Sequence, residues 1–314
     1  MFAATTLRTT VRASRAGPSS VPLPVRSFTS SSTFRHQATR APWRLVGLGG
    51  AAALTYAVWE LKPEVFPSPA PLHADAPPLV GHYIDPTTKT PFPHTLSSPQ
   101  DGTRLRLVGT GVRTVSILSI KVYAVAFYVS ERELEQAKAG KIAGWEGYTP
   151  ERLIPPFSIP AGEPERPVGE LLMDNLLEKA DAAVVIVPLR NTSLHHLRDA
   201  FTRALIARMK IPRVVEQFTG EMNEQTGAAL VEFKSFFPPS SLSKGSPLEL
   251  YYSAVNRSVL FQLKDSKTPQ AVTLGTLREP LLAKELMISY FSDSAAPSSE
   301  LRKSTAMGFA GEER

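Results

Sequence analysis

Apolar and polar residues alternate along three consecutive segments of the chain, and this alternation predicts β-strands. The segments are residues 104–110, 112–118 and 120–129, which are rich in β-branched side chains. Gly109 and Gly111 interrupt the pattern, which indicates a bent or bulged sheet. A buried strand is predicted over 182–188, and a strand hairpin over 248–254 and 258–263.

Helical periodicity predicts five helices, over residues 131–140, 170–180, 191–209, 221–236 and 277–291. The helix over 191–209 has an apolar stripe formed by Leu194, Leu197, Phe201 and Leu205. Clustered antiparallel strands with helices on one side make an α+β domain. The Pro- and Gly-rich loop over 143–167 is too long for an ordinary connection, so it is a candidate functional or lineage-specific insertion.

Residues 1–36 have the composition of a mitochondrial transit peptide. They are rich in Arg, Ser, Thr and Ala, and no acidic residue occurs before Glu60. The string Arg26-Ser27-Phe28-Thr29 resembles a matrix-processing site. A disordered basic tail is the alternative, whereas a secretory signal fits less well because no apolar run begins before residue 45.

An uncharged run of 15 residues extends from Leu45 to Trp59. A spanning helix needs about 20 apolar residues, with about 17 near the lower limit. Flanking tryptophans and snorkelling of Arg44 bring the run close to this length, so residues 43–60 are predicted to anchor the chain in the inner membrane. A peripheral helix or a sorting signal is the alternative. An anchor would place the rest of the chain in the intermembrane space, because the arginine-rich side stays in the matrix.

The remaining boundaries follow from composition. Residues 61–78 are rich in proline and predict an extended linker. The folded domain is predicted over 79–294, and residues 295–314 are predicted to be a disordered tail because Ala, Pro, Ser and charged residues dominate there.

Charge and missing residue types exclude several functions. Seven of the 35 basic residues precede Trp59, and the remaining 28 nearly balance the 29 acidic residues, so the net charge of +6 does not argue for a nucleic-acid partner. The absence of cysteine excludes disulfides, thiolate nucleophiles, cysteine-based metal sites and covalent c-type haem. No nucleophile elbow, phosphate loop or dinucleotide fingerprint occurs, which argues against hydrolase, kinase or dehydrogenase activity.

The segment LVGTGVRTVSILSIKVYAVAFYV resembles the first hairpin of the chalcone isomerase family, in which a glycine turn, an arginine and a lysine-led strand follow at this spacing. VVIVPL before a helix, a helix ending in FFPPSS, a strand hairpin and a closing helix match the family's later elements. The resemblance covers roughly residues 79–292 and implies an open-faced β-sandwich, an antiparallel sheet with helices on one side. The N-terminal signal, the long loop and RNTSLHHLRDAFTRAL are similar to the fungal altered-inheritance-of-mitochondria branch.

The resemblance also implies a ligand site. In the plant enzymes an arginine steadies the anionic oxygen of a chalcone, while a threonine and a tyrosine hold a water beside the developing enolate. The arginine corresponds to Arg113, the threonine position falls on Tyr123, and the helical tyrosine and asparagine positions fall near Leu194 and Phe201. Leu194 and Phe201 cannot donate a hydrogen bond, and one lost oxyanion donor typically costs about 100-fold in rate. This argues against a full isomerase and leaves enzymatic activity open.

Simpler interpretations exist for Arg113 and Tyr123. Arg113 shares strand parity with its apolar neighbours, so its guanidinium needs a partner on the apolar face. That partner is either a bound anion or a carboxylate such as Glu232 or Asp199. Tyr123 also shares parity with apolar residues, and packing in the core would explain it.

The fungal branch resembles a group of haem binders without isomerase chemistry, which implies haem b. His196 and Tyr123 are then the candidate axial ligands, and Arg113 or Arg198 would face the propionates. His73, His82 and His94, in the segment before the domain's first long strand, are further candidates. A lone helical histidine is more often a surface residue.

Three functions remain in competition. The first is a non-catalytic, haem-binding protein of the mitochondrial inner membrane. The second is an intramolecular lyase with Arg113 and Tyr123 as catalytic residues, and the third is a fatty-acid carrier in which they grip a carboxylate. The expected ligand is in each case small and hydrophobic or anionic, and its predicted contacts are Arg113, Tyr123, Leu194, His196, Arg198 and Phe201.

Overall fold

The computed structural model describes residues 81–115, 119–157, 166–217, 220–264 and 270–311. The predicted transit peptide (1–36), membrane anchor (43–60) and linker (61–78) lie outside these residues. Among the helices of the described ranges, none has the length and apolar character needed to cross a membrane.

A seven-stranded antiparallel sheet forms the centre of the domain. Its strands are β3 (Thr95–Ser97), β4 (Arg104–Val115), β5 (Ile120–Ser130), β6 (Ala182–Pro188), β9 (Leu248–Ser253), β10 (Ser258–Lys264) and β11 (Ala271–Leu277). They are arranged in the order β11-β10-β9-β6-β5-β4-β3. Two small pairs stand apart, β1 (His82–Ile84) with β2 (Pro91–Pro93) and β7 (Thr192–Ser193) with β8 (Ser241–Leu242).

The predicted irregularity of the first long hairpin is confirmed. Strand β4 is one continuous element, and its register against β5 shifts between Leu107 and Gly109 and again between Arg113 and Thr114. Strand β11 was not predicted, because the pattern of its residues shows no clean alternation of buried and exposed positions. It pairs with β10 at the edge of the sheet.

Seven helices accompany the sheet in the described residues. They are α1 (Glu131–Lys138), α2 (Glu170–Leu177), α3 (Leu194–Arg208), α4 (Pro212–Val215), α5 (Gly220–Ser235), α6 (Pro280–Ile288) and α7 (Ser299–Phe309), with 3-10 turns at Pro150–Arg152 and Ser289–Phe291. Helix α3 begins where the Ser193 side chain accepts the His196 backbone N–H, as an N-cap does. The five predicted helices are therefore present, with ends that differ from the prediction by at most three residues.

The two faces of the sheet carry different cores. Alternate residues of β5, from Tyr123 to Val129, join the large core that the helices cover. The intervening residues, including Tyr128, belong to a smaller cluster on the opposite face together with Phe92 and Tyr251. This arrangement confirms the α+β class with helices packed on one side of an antiparallel sheet.

The prediction of a disordered tail over 295–314 is wrong for most of that range. Helix α7 lies against β4, and its Leu301, Ala306 and Phe309 are buried. A Cβ atom at Gly111 would lie 2.7 Å from the Leu301 Cα, so α7 can approach β4 closely only because glycine occupies that position. The composition of the tail predicted disorder, whereas the helical spacing of its apolar residues indicates the helix that is formed.

The long loop over 143–167 is, where the structure describes it, part of the packed domain. Trp145 is fully buried, donates its indole N–H to the Leu172 carbonyl oxygen at 3.0 Å and packs on Phe309. The buried Arg152 donates to backbone carbonyl oxygens of the same loop. The loop thereby holds the C-terminal end of α7.

Candidate functional site

Arg113 and Tyr123 lie directly opposite each other on neighbouring strands. They are paired in the register of β4 and β5, and therefore project from the same face of the sheet. The Arg113 guanidinium carbon is 5.8 Å from the centre of the Tyr123 ring, which is within cation–π range. Arg113 is half-buried and Tyr123 is buried. The resemblance had assigned both residues to one ligand site, and the structure brings them together.

The guanidinium of Arg113 has no salt-bridge partner among the residues that the structure describes. Of the two carboxylates considered from the sequence, Asp199 pairs with its neighbour Arg198 at 2.8 Å and Glu232 is exposed. The structural ion pair that would have explained Arg113 without a ligand is therefore not formed by either candidate. A half-buried cation in this position can accept an anionic guest.

Tyr290 is a third member of the group that sequence reasoning missed. It lies in the 3-10 turn after α6, is almost fully buried in the same core cluster as Tyr123, and has a pKa that the nearby charges of Arg113 and Tyr123 affect. Its only signal in the sequence was a polar hydroxyl at the end of the apolar run 277–291. Nothing in that run connects it to a strand more than 160 residues earlier.

The two phenols remain hydrogen-bond donors at neutral pH. Burial raises the pKa of Tyr123, and the charge of Arg113 only partly opposes this effect. Burial also raises the pKa of Tyr290 well above its usual value. A guanidinium beside two protonated phenols is a donor-rich group suited to an oxyanion. We refer to Arg113, Tyr123 and Tyr290 as the Arg–Tyr group.

Leu194 and Phe201 are both buried in the core on the same side of the sheet as the Arg–Tyr group. Phe201 is surrounded by Phe233, Phe237 and Phe261, with ring centres 5.9 to 6.4 Å away. Both residues thus supply apolar packing at positions where the plant enzymes have polar contacts. Hollows of 250 to 570 Å³ are found elsewhere on the domain, and none of these is lined by the Arg–Tyr group.

His196 and Arg198 are not brought into the buried face. His196 is exposed in the first turn of α3, with its Nδ1 atom 3.5 Å from the Thr192 Oγ1 atom. Arg198 is half-buried, and its Nε donates to the carboxylate of Asp199 at 2.9 Å. The structure does not place either side chain in the core that contains Tyr123.

The histidines of the approach segment also lie away from the Arg–Tyr group, as far as they are described. His94 lines a hollow with Arg104 at the opposite end of β4 from Arg113. Nine residues of strand at about 3.3 Å each separate these two ends by roughly 30 Å. His82 belongs to β1, whereas His73 lies outside the described residues. Within the described ranges, no three His, Asp or Glu side chains converge as a metal site.

A buried charge network connects four helices and was not predicted. Arg208 donates to Glu285 at 2.7 Å and also pairs with Glu170, and Arg213 completes the network at 3.0 Å from Glu285. Both Arg208 and Glu285 are almost fully buried. The charges compensate one another, so this network is a structural element rather than a ligand site.

Comparisons with known proteins decide the family. The model of chalcone isomerase-like domains matches residues 103–306, which include the Arg–Tyr group and the first eight residues of α7. The chain belongs to the chalcone isomerase-like family. This range also supports placing α7 inside the domain.

The similar proteins point to a fungal mitochondrial branch of this family. The chain is 26% identical over 236 residues to altered inheritance of mitochondria protein 18 of Debaryomyces hansenii, covering 71% of this chain and 73% of that protein. It is 28% identical over 223 residues to the protein of the same name from Eremothecium gossypii, covering 68% and 70%. Both relatives are named as mitochondrial proteins.

A solved structure confirms the fold. The chain is similar to the fatty-acid binding protein of Arabidopsis thaliana with a TM-score of 0.50, covering 73% of this chain and 97% of that chain. The sequence identity is 17%, so the likeness concerns the fold.

Proposed function

We propose that this chalcone isomerase-like protein binds an amphiphilic carboxylate, such as a fatty acid, without chemically converting it. The carboxylate would be held by the Arg–Tyr group. Its apolar part would pack against the core on the helix-covered face of the sheet. The observation that carries the proposal is the half-buried Arg113, which has two protonated phenols beside it and no carboxylate partner in the described part of the chain.

The donor geometry favours a carboxylate. A guanidinium offers two parallel N–H donors to the two oxygens of a carboxylate, and a phenol can donate to either oxygen. The apolar replacements Leu194 and Phe201 favour a hydrocarbon tail over a polar ring system. The fatty-acid binding protein with the same fold supports this choice of ligand class.

A displacement assay with a fluorescent fatty acid on the delipidated full chain tests the proposal. Arg113→Ala removes charge-assisted hydrogen bonds worth about 1.5–3 kcal/mol, so affinity should fall about 10- to 100-fold. Tyr123→Phe and Tyr290→Phe keep each ring but remove its hydroxyl, and each should weaken binding by roughly 2- to 10-fold. Arg132→Ala, at a side chain that is 83% exposed, is the matched control and should leave affinity unchanged.

Two results would contradict the proposal. One is a fatty-acid affinity that is equal in the wild type, Arg113→Ala and Arg132→Ala chains. The other is fatty-acid binding that is lost equally on substitution of either arginine, since that would indicate general charge attraction.

Isomerase activity is the alternative within the same site. The Arg–Tyr group could steady an enolate oxygen, so the same variants should be assayed for cyclisation of a chalcone. Turnover that disappears in Arg113→Ala, and that falls in Tyr123→Phe and Tyr290→Phe, would favour an intramolecular lyase over a carrier.

Haem b stays a proposal that an absorption spectrum of the purified full chain can test. Arg113 could face a propionate, but the axial candidates fit less well. His196 is exposed, and tyrosine ligation needs a phenolate, which the raised pKa of Tyr123 disfavours. A Soret band that is lost in His196→Ala or Tyr123→Phe would support haem and contradict the carboxylate proposal.

For location, we propose the mitochondrial inner membrane with the domain in the intermembrane space. The proposal is supported by the arginine-rich N-terminus, the apolar run before Glu60 and the mitochondrial names of the relatives. Protease should then degrade the domain after rupture of the outer membrane and leave it intact before. Resistance in mitoplasts would place the domain in the matrix.

A further inference from the structure

A hollow of about 250 Å³ lies at the N-terminal end of α7, separate from the Arg–Tyr group. Its lining includes Arg302 and Lys303 of α7, Ser299 at the first position of that helix, and Ser292 and Asp293 from the segment before it. Positions 299, 302 and 303 fall on one side of the helix because they are three and four residues apart. We call this hollow the α7 pocket.

Arg302 is a buried cation whose bonding is incomplete. Only 3% of the residue is exposed. One terminal nitrogen donates to the carbonyl oxygen of Phe291, and the other lies 3.9 Å from the carboxylate of Asp293. The Nε atom is buried and has no hydrogen-bond partner in the described structure. A buried donor without a partner costs about 1–3 kcal/mol, which a bound acceptor would recover.

The helix end adds further donors at the same place. The Ser298 side chain caps α7 by accepting the Leu301 N–H at 3.1 Å, and the amides before Leu301 have no partner within the helix, as at any helix N-terminus. Ser292 and Ser299, each with a hydroxyl group, also line the pocket. Lys303 is exposed at the rim and can reach a ligand as a second cation.

Asp293 is the opposing charge in this pocket, but it is engaged elsewhere. Its Oδ1 atom accepts the backbone N–H of Glu170 at 3.1 Å, at the start of α2. Partial burial raises the pKa of Asp293 and the Glu170 carboxylate adds to the increase, whereas the hydrogen bond from the Glu170 N–H opposes it. Among the residues that line the pocket, Arg302 and Lys303 carry two positive charges against the one negative charge of Asp293.

We propose that the α7 pocket binds a phosphoryl group. The hydrogen-bond donors available are the Arg302 Nε atom, the Lys303 ammonium, the α7 amides and two serine hydroxyls. This number of donors exceeds what the two oxygens of a carboxylate can accept. Three terminal phosphoryl oxygens match this number better, and a helix N-terminus with a guanidinium is a suitable site for such a dianion or monoanion. The group could belong to free phosphate or to the headgroup of a lipid.

Calorimetric titration of the full chain with inorganic phosphate and with glycerol phosphate tests the site. It also distinguishes free phosphate from a lipid headgroup as the source of the phosphoryl group. Soluble probes are used because the seven N-terminal arginines would draw the chain to anionic vesicles by themselves. Binding in the millimolar range or tighter is expected. Tighter binding of inorganic phosphate indicates a free-phosphate site, whereas tighter binding of glycerol phosphate indicates a headgroup site.

Four variants locate the binding. Arg302→Gln should weaken it by about 10-fold or more, and Lys303→Gln and Ser299→Ala by about 3-fold each, because charged donors contribute more than neutral ones. Lys244→Gln, at another exposed lysine, is the control and should bind like the wild type. If Arg302→Gln does not fold, the double variant Ser299→Ala/Lys303→Gln, at two exposed positions, carries the test.

The proposal is overturned if neither phosphate compound binds, or if the variants bind as tightly as the wild type. Fatty-acid affinity measured on the same variants should be unchanged, since none of these residues belongs to the Arg–Tyr group. The phosphoryl-binding proposal can therefore be refuted without affecting the carboxylate-binding proposal, and the carboxylate-binding proposal can be refuted without affecting the phosphoryl-binding proposal.

Discussion

The close contact between α7 and β4 makes Gly111→Ala a stringent test of the structure. The new Cβ atom would lie 2.7 Å from both the Leu301 Cα and the Ser298 Oγ, where an ordinary contact is 3.4 to 4 Å. One of these neighbours is backbone, so the helix itself must move by roughly 1 Å. That movement would also strain the hydrogen bond that the Thr110 N–H donates to the Ser304 hydroxyl at 2.8 Å.

The expected loss of stability follows from this overlap. Inserting one methyl group into a packed contact typically costs about 1–3 kcal/mol, and we expect the upper end because backbone must shift. For a domain of this size each 1 kcal/mol lowers Tm by about 2–4 °C, so Gly111→Ala should lower it by about 5–10 °C. Urea unfolding of the full chain, followed by tryptophan fluorescence, gives the same comparison as a free energy.

Gly227→Ala is the matched control. Gly227 lies in α5, and a Cβ atom there would meet nothing within 4 Å. Alanine is a better helix former than glycine by about 0.8–1 kcal/mol, so this variant should be slightly more stable than the wild type. Equal stability of Gly111→Ala and the wild type would refute the docking of α7 on β4, whatever the control does.

Three further predictions concern the tail, the charge network and the phenols. Deleting residues 299–314 removes the buried Leu301 and Phe309, whose burial stabilises the fold by roughly 3–6 kcal/mol. The truncated chain should therefore be insoluble or largely unfolded in circular dichroism, and a folded product would contradict this prediction. Glu285→Gln leaves Arg208 with one carboxylate instead of two and should cost about 3–5 kcal/mol in urea unfolding, whereas Glu216→Gln at an exposed site should cost nothing measurable. Six tyrosines have raised pKa values, of which five are buried (Tyr123, Tyr128, Tyr251, Tyr252 and Tyr290) and Tyr148 is half-buried. Their contribution to stability is complete below the unfolded pKa of about 10 and is lost as pH rises beyond it. Phenolate absorbance should therefore appear together with unfolding, and reversible titration of all tyrosines near pH 10 in the folded chain would contradict the burial.

The sequence was most informative where chemistry and spacing coincide within one hairpin. Arg113 and Tyr123 are only ten residues apart, and a hairpin necessarily returns the chain beside itself, so their pairing could be predicted. Tyr290 could not be predicted as their neighbour, because its approach depends on how α6 packs on the sheet. Long-range contacts of this kind leave no periodic signal in a single sequence.

His196 was predicted as a haem ligand from its chemistry, but the local helical structure places it on the surface. The preceding Ser193 caps α3, and this fixes the first turn of the helix. With Leu194 and Leu197 directed into the core, His196 falls on the exposed side. Helical geometry in this turn could have been read from the apolar stripe, and it outweighs the chemical argument for an axial ligand.

The glycines of β4 explain why Arg113 can be half-buried at all. On the helix-covered face of β4, Gly109 and Gly111 lie opposite Phe127 and Val125 of β5, and α7 rests on both glycines. The next position on that face is Arg113, beyond the point where Ser298 begins the helix. Helix α7 therefore covers β4 at Gly109 and Gly111, where no side chain is present, and ends before Arg113. This leaves room for the Arg113 side chain between the core and solvent. Any substitution that shifts α7 along β4 should consequently alter carboxylate binding at Arg113 as well as stability, which couples the two properties through one helix.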